Sequence, residues 1–331
     1  MKKLILGFMV IAAMASCMKE QTVVAPNKMA IGFGDFVSNS SSRAIDPTYN
    51  NDTNLLNEFY VWGFMGTNTG VVFDKELVSR AASGWTYRNL AYWSASKTYK
   101  FAALAPVASI DNGDVVLTLA QDDKYMSAEG HLGTVAFTNN DGTVDLLYAT
   151  DEVTTPNVIP DSPEKVELMF KHLLSKVKFT FTNGLSSELT AMVISDVKMV
   201  SPTNGTIDLA TSAWTVTGAA TSTLEFGKVV DKSDATNSKL AVAGVGEVEN
   251  ERLVIPASSY DVSFTVTLYN GTEAWEPIEM TSTIANVTLI PGKCYNFTAT
   301  LNATNLQLKA IEFDEPVIED WVHDGDHSFL N

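Results

Sequence analysis

Large apolar residues recur at every second position through most of this 331-residue chain, and that period of two limits what it can fold into. Tyr295, Phe297, Ala299 and Leu301 alternate, as do Val262, Phe264, Val266 and Leu268, and Val177, Phe179 and Phe181. Val115, Leu117 and Leu119 follow the Asp111-Asn112-Gly113 turn signal, and Val144, Leu146 and Tyr148 follow the one at Asn139 to Gly142. Phe59 to Met65 (FYVWGFM) is apolar on both faces, which predicts a strand buried on both sides. The stretch from Trp93 to Pro106 predicts another strand, stopped by a proline that cannot donate to a ladder. Long helical periodicity is absent, so the fold class is all-β, and the packing solution for such strands is the sandwich.

The alternation fails from Thr150 to Lys165, where Pro156, Pro160 and Pro163 stand among charged residues. With 45% hydrophobic residues and this length, two domains are expected: sandwiches over 44–160 and 161–331. The second series of strands is expected to open at Val166, in VELMFKHLLSKVKFTFTN.

Residues 1–16 read as processing information. Lys2 and Lys3 precede an apolar run from Leu4 to Ala13, and Ala15-Ser16-Cys17 is a small-residue cleavage site ending in cysteine. This is the pattern of a lipoprotein signal peptide, with Cys17 as the lipidated first residue of the exported chain. Cys294 is then left without an intrachain disulfide partner, so stability has to come from core burial. The formal charge of −17 becomes −19 once two lysines leave with the signal. Such acidity excludes nucleic acid as a partner, and it leaves the lipid, not a basic patch, to hold the protein to a membrane.

Residues 29 to 44, MAIGFGDFVSNSSSRA, have the pattern of a strand followed by an exposed loop. Met29, Ile31 and Phe33 alternate with Ala30, Gly32 and Gly34, so an extended backbone presents large side chains on one face only. Ser38 to Ser42 carry nothing apolar, and Arg43 is one of four arginines in the chain. A polar loop ending in Arg suits a protease with a trypsin-like specificity pocket, and cleavage after Arg43 would free the strand and open a slot for another molecule's strand. The plain alternative is an ordinary first strand with a loop behind it.

Five stretches taken together resemble the fimbrillin family of Bacteroidetes pilins: KTYKFAALAP (97–106), FKHLLSKVKF (170–179), LVIPAS (253–258), LIPGKCYNFTATL (289–301) and IEFDEPVIEDW (311–321). The resemblance implies two transthyretin-like β-sandwich domains in tandem, export as an outer-membrane lipoprotein, and removal of the first strand by an arginine-specific protease. A strand from a neighbouring subunit then fills the vacated groove, giving an extracellular adhesive fimbrium. Carried onto this chain, Cys17 is the lipid anchor and Arg43-Ala44 the scissile bond. Residues 17–43 are the propeptide, with Met29, Ile31 and Phe33 as the removable plug. The donor segment would hold Leu306, Leu308, Ala310, Ile311 and Phe313, which equally well complete the second domain of their own subunit. Expected partners are other fimbrial subunits and the protease.

No enzyme, cofactor or metal is expected. His323-Asp324-Gly325-Asp326-His327 has metal-ligand residue types but lies on a glycine-containing tail, where a solvated tail is the expectation. His172, among Phe170, Leu173 and Leu174, reads as a core or interface histidine bonded to backbone, because no nucleophile motif accompanies it. Six tryptophans (Trp62, Trp85, Trp93, Trp214, Trp275 and Trp321) are expected mainly in the cores. Any of them left on the surface would support an alternative, a glycan-binding surface lipoprotein.

Overall fold

The computed structural model describes residues 29–34, 56–66, 70–82, 84–120, 126–127, 130–186 and 191–321. Within them the alternating stretches are strands. The chain runs through β1 (Glu58–Met65), β2 (Gly70–Ala81), β3 (Gly84–Tyr87), β4 (Thr98–Ala105), a short helix α1 (Val107–Asn112), β5 (Val115–Leu119), β6 (Gly133–Thr138), β7 (Leu147–Thr154) and β8 (Lys171–His172). It continues through β9 (Ser175–Asn183), β10 (Ala191–Pro202), β11 (Asn204–Asp208), β12 (Ala213–Val216), β13 (Thr221–Gly227), β14 (Val229–Asp231), β15 (Leu240–Ala241) and β16 (Val245–Val248). The last elements are β17 (Arg252–Val254), β18 (Ser259–Asn270), β19 (Glu273–Ala274), β20 (Ile278–Ala285), β21 (Lys293–Leu301), α2 (Ala303–Leu308) and β22 (Val317–Asp320). Among the described residues no helix is long and apolar enough to cross a membrane.

The first half is built on the sheet β3-β2-β1-β4-β7-β8. As FYVWGFM predicts, β1 is buried on both faces: Phe59 and Val61 face one core, Trp62 and Phe64 another. A bulge in the β1–β2 pairing sits at Gly63. A Cβ on Gly63 would lie 2.9 Å from a carbon of the Phe101 ring and 3.0 Å from the Phe73 ring, so glycine is required by the closeness of its neighbours. The Trp62 face packs on a second sheet, β12-β11-β6-β5, through Leu104, Val135, Phe137, Tyr148 and Ile207. The Phe59 face is covered by residues 29–34, by Trp93, and by Val166, Leu168 and Phe170.

The second half is a sandwich. In one sheet, β14-β16-β9-β21-β22, the central strands β9 and β21 run parallel, and β17 also pairs with β9. The other is β13-β10-β18, extended by β15, β19 and β20. Aromatic rings interlock between the layers, with Phe179 on Phe226 at 4.9 Å and Phe181 on Phe264 at 5.0 Å.

Two details differ from the reading of the sequence. The strands of the second sandwich do not open at Val166. Val166, Leu168 and Phe170 do alternate, but they cover the first core, and β8 then pairs with β7. Likewise β11 pairs with β6, so a hairpin from the second half completes a sheet of the first. Period two shows which face is apolar and not which sheet receives it.

The stretch holding Leu306 and Leu308 is also helix and not strand. Asn302 caps α2 with its side-chain oxygen on Thr304 N and Asn305 N, and Asn305 reaches back to Asn302 N in a reciprocal capping box. Leu306 is buried while Leu308 is 72% exposed. A capped single turn outweighs three alternating positions.

Candidate functional site

Met29, Ile31 and Phe33, the residues expected to form a removable strand, lie in a slot over the outer face of the first sheet. On one side the Ile31 N–H donates to Ala91 O (2.9 Å) and the Trp93 N–H donates to Met29 O (3.0 Å). On the other side the Val166 N–H donates to Gly32 O (2.8 Å) and the Gly34 N–H donates to Val166 O (2.9 Å). The segment therefore runs antiparallel to one neighbour and parallel to the other, at Ala30–Tyr92 and Phe33–Val166. The remaining Ile31 carbonyl accepts the Tyr87 hydroxyl at 2.7 Å.

Its side chains divide as the alternation predicts. Ile31 (1% exposed) and Phe33 (4%) are buried in the first core, Met29 is half-buried against it, and Ala30 is exposed. The Phe33 ring meets Phe59 and Tyr87 edge-on at 5.8 and 5.7 Å, and Phe73 at 5.9 Å. Gly32 and Gly34 would each accept a Cβ at ordinary contact distance, 3.6 and 3.5 Å from the nearest carbon. Nothing about those glycines is sterically forced. Burying two large side chains contributes about 3–6 kcal/mol, and each main-chain bond about 0.5–1.5 kcal/mol.

Both flanks of the slot are fixed by carboxylates. Glu76, buried on β2, accepts the N–H groups of Arg88 (3.0 Å) and Asn89 (2.9 Å) and the Asn89 side-chain amide (2.7 Å). Burial pushes its carboxyl up, but the hydrogen bonds from Asn89 and Arg88 outweigh this and hold it below the ordinary value. Asp151 on β7 accepts the N–H groups of Glu167 and Glu152, both at 2.8 Å. Its carboxyl lies above the ordinary value, first because of burial and then because Glu167 and Glu164 stand near. Glu76 thus ties down the chain shortly before Ala91, and Asp151 the residue just after Val166. Sequence reasoning missed Tyr87, Glu76 and Asp151, because their role depends on chain crossings that no local pattern records. The Val166 alternation was a visible signal for the second flank, read as belonging to the other half.

The other sequence-derived residues fall elsewhere. Cys17, Arg43, Ala44 and the His323–His327 run lie outside the described residues. Ala310 bridges to Thr281, Ile311 is buried, and Phe313 packs on Phe179, Phe181 and Phe297 in the second core of the same chain. His172 is buried, as expected of a core or interface histidine. Its Nδ1 lies 2.9–3.0 Å from the Asp145 carboxylate, and the ring stacks on Trp321 at 3.6 Å. Among the described residues no group of three or more metal-ligating side chains occurs.

The sequence profile of the fimbrillin-like family matches residues 42–321. Among solved structures, a fimbrial protein from Bacteroides vulgatus ATCC 8482 has a TM-score of 0.56 at 14% identity, covering 80% of this chain and 93% of its own. A putative cell adhesion protein from Bacteroides uniformis ATCC 8492 has a TM-score of 0.46 at 15% identity, covering 89% and 98%. The fimbrial anchor protein Mfa2 from Porphyromonas gingivalis has a TM-score of 0.39 at 12% identity, covering 90% and 98%. No curated protein sequence matches the chain. The family match spans more than half of the chain, and the fold of its Bacteroides vulgatus neighbour agrees with it. This chain belongs to the fimbrillin-like family.

Proposed function

We propose that the protein is the precursor of a fimbrial subunit, exported as a lipoprotein on Cys17 and matured by an arginine-specific protease at Arg43-Ala44. Cleavage releases the segment holding Met29, Ile31 and Phe33, and a strand from a neighbouring subunit takes its place. The observation that carries this reading is the way residues 29–34 are held: four main-chain bonds to two separate flanks and two buried side chains, in a slot whose walls are tethered independently by Glu76 and Asp151. Loss of the strand strips hydrogen-bond partners and exposes apolar surface while the walls keep their own supports. The open slot is then driven to capture an extended backbone, which restores both the ladder and the burial. Head-to-tail capture that does not close on itself grows a filament without covalent links.

The donor in this reading comes from the C-terminal region. Ile311 and Phe313 already serve the second core of their own chain, so donation of those two residues would require them to leave it. Treatment of the exported precursor with an arginine-specific protease is expected to shorten it at one site, leaving 288 residues from Ala44 onward, and to convert monomer into ladders on native gels. Arg43→Ala is expected to abolish both changes with the fold unaltered. Clipped protein that stays monomeric at high concentration would overturn the strand-capture reading.

A further inference from the structure

The second sandwich carries a site of different character at the pole away from the first half. The strands β9 and β21 run parallel, starting beside β8 where the Gly292 N–H meets Leu174 O, and ending at Asn183 and Leu301. Where they end, together with the end of β18 at Asn270, an open pocket of about 560 Å³ is lined by Leu185, Ser186, Asn270, Trp275, Asn302 and Thr304 among others. That volume falls in the range of about 300–1,000 Å³ usual for small-molecule sites.

Trp275 sets the pocket apart. Trp62, Trp93 and Trp321 are 4–6% exposed, whereas Trp275 is 48% exposed. It is anchored all the same, because its main-chain N–H donates to Leu268 O at 2.8 Å just beyond β19. The polar side chains around it are unspent. Ser186, Thr304, Asn270 and the Trp275 indole make no side-chain hydrogen bond among the described residues. The Asn302 oxygen is committed to capping α2, accepting Thr304 N at 2.9 Å and Asn305 N at 3.1 Å, which leaves its amide N–H₂ to donate elsewhere. Among the described residues no charged side chain lines the pocket.

A flat apolar indole face beside neutral amides and hydroxyls matches a ligand with an apolar face and a rim of hydroxyls. A pyranose ring has that chemistry. Among the described residues the lining offers no cation to neutralise an acidic sugar, and the chain's charge of −17 disfavours one at longer range. We propose that this pocket binds neutral pyranosides, with one sugar face against Trp275 and the hydroxyls bonded to Asn302 Nδ2, Asn270, Ser186 and Thr304. The site shares no residue with the strand slot, so the two activities fail independently.

The test is saturation-transfer NMR on the full chain with the methyl glycosides of glucose, galactose, mannose, N-acetylglucosamine and fucose, and of the acidic sugar N-acetylneuraminic acid. At least one neutral glycoside is expected to give a saturable signal with millimolar Kd. Trp275→Ala is expected to weaken it about tenfold or more. Asn302→Asp keeps the capping oxygen and hence α2, because Asp and Asn cap equally well, but removes the amide donor. It is expected to weaken binding several-fold with an unchanged melting curve. Arg43→Ala, which blocks the proposed maturation, is expected to bind as wild type. Absence of saturable signal from every neutral glycoside, undiminished binding by Trp275→Ala or Asn302→Asp, or equally strong binding of the acidic sugar would each overturn the proposal.

Discussion

At Gly63 a single hydrogen in place of a methyl group lets β1 lie against the Phe73 and Phe101 rings, which with Phe33 form one aromatic cluster. Gly63→Ala drives a carbon to within 3.0 Å of both rings, and Phe73 in turn packs on Phe33 at 5.9 Å. Overpacking of this kind costs about 1–3 kcal/mol, so thermal unfolding should show a lowered Tm, with residues 29–34 the first to be released. Glu76 gives a pH signature. Its folded carboxyl ionises below the unfolded value near 4.5, so its stabilisation is complete above that pH and is lost as pH falls through the lower folded value. Glu76→Gln cannot titrate. In denaturant melts it should be less stable than wild type at pH 7 by about 1.5–3 kcal/mol, the range for hydrogen bonds to a charged group, and should lose less stability on acidification below 4.5.

At the scale of elements, residues 29–34 are held by a short ladder at each flank, whereas β4 lies between two strand partners, paired over six residues with β1 and over eight with β7. Local opening follows the number of buried contacts that break, so the plug should open as a unit at lower free energy than the sheet beneath it. Native-state hydrogen exchange should show the amides of Ile31, Gly34, Trp93 and Val166 exchanging with one common free energy, below that of Phe101 in β4. A common value equal to global unfolding would mean the segment is an ordinary part of the first core. Much of this element-level arrangement was legible in the sequence. Met29, Ile31 and Phe33 showed an apolar face, and FYVWGFM showed a strand covered twice. The destination of Val166, Leu168 and Phe170 was not legible, because period two encodes a face and leaves the receiving sheet to long-range register. At α2 two local signals compete: the alternation of Leu306, Leu308 and Ala310 favours a strand, and the Asn302/Asn305 capping pair favours the helix that forms.

At the scale of the molecule the two halves share sheets, since the β11–β12 hairpin completes the sheet of β5 and β6, and β8 sits on the edge beside β7. The slot therefore lies on a scaffold supported from both halves, as the proposed exchange of its occupant would require. All-β character and the family were legible from ordered stretches such as KTYKFAALAP and LIPGKCYNFTATL. The slot's tethers at Glu76 and Asp151 were not, since a carboxylate's partners twelve or sixteen residues away leave no periodic trace. In the proposed mechanism residues 29–34 occupy, in the precursor, a place that another subunit's strand takes in the fibre. The most direct measurement is to cleave the precursor with an arginine-specific protease, separate polymer from monomer by size exclusion, and identify by mass spectrometry where the fragment ending at Arg43 elutes. The account predicts that the fragment is absent from polymer and found free in amounts matching the subunits assembled. Polymer that retains the fragment one-to-one with its subunits would contradict it.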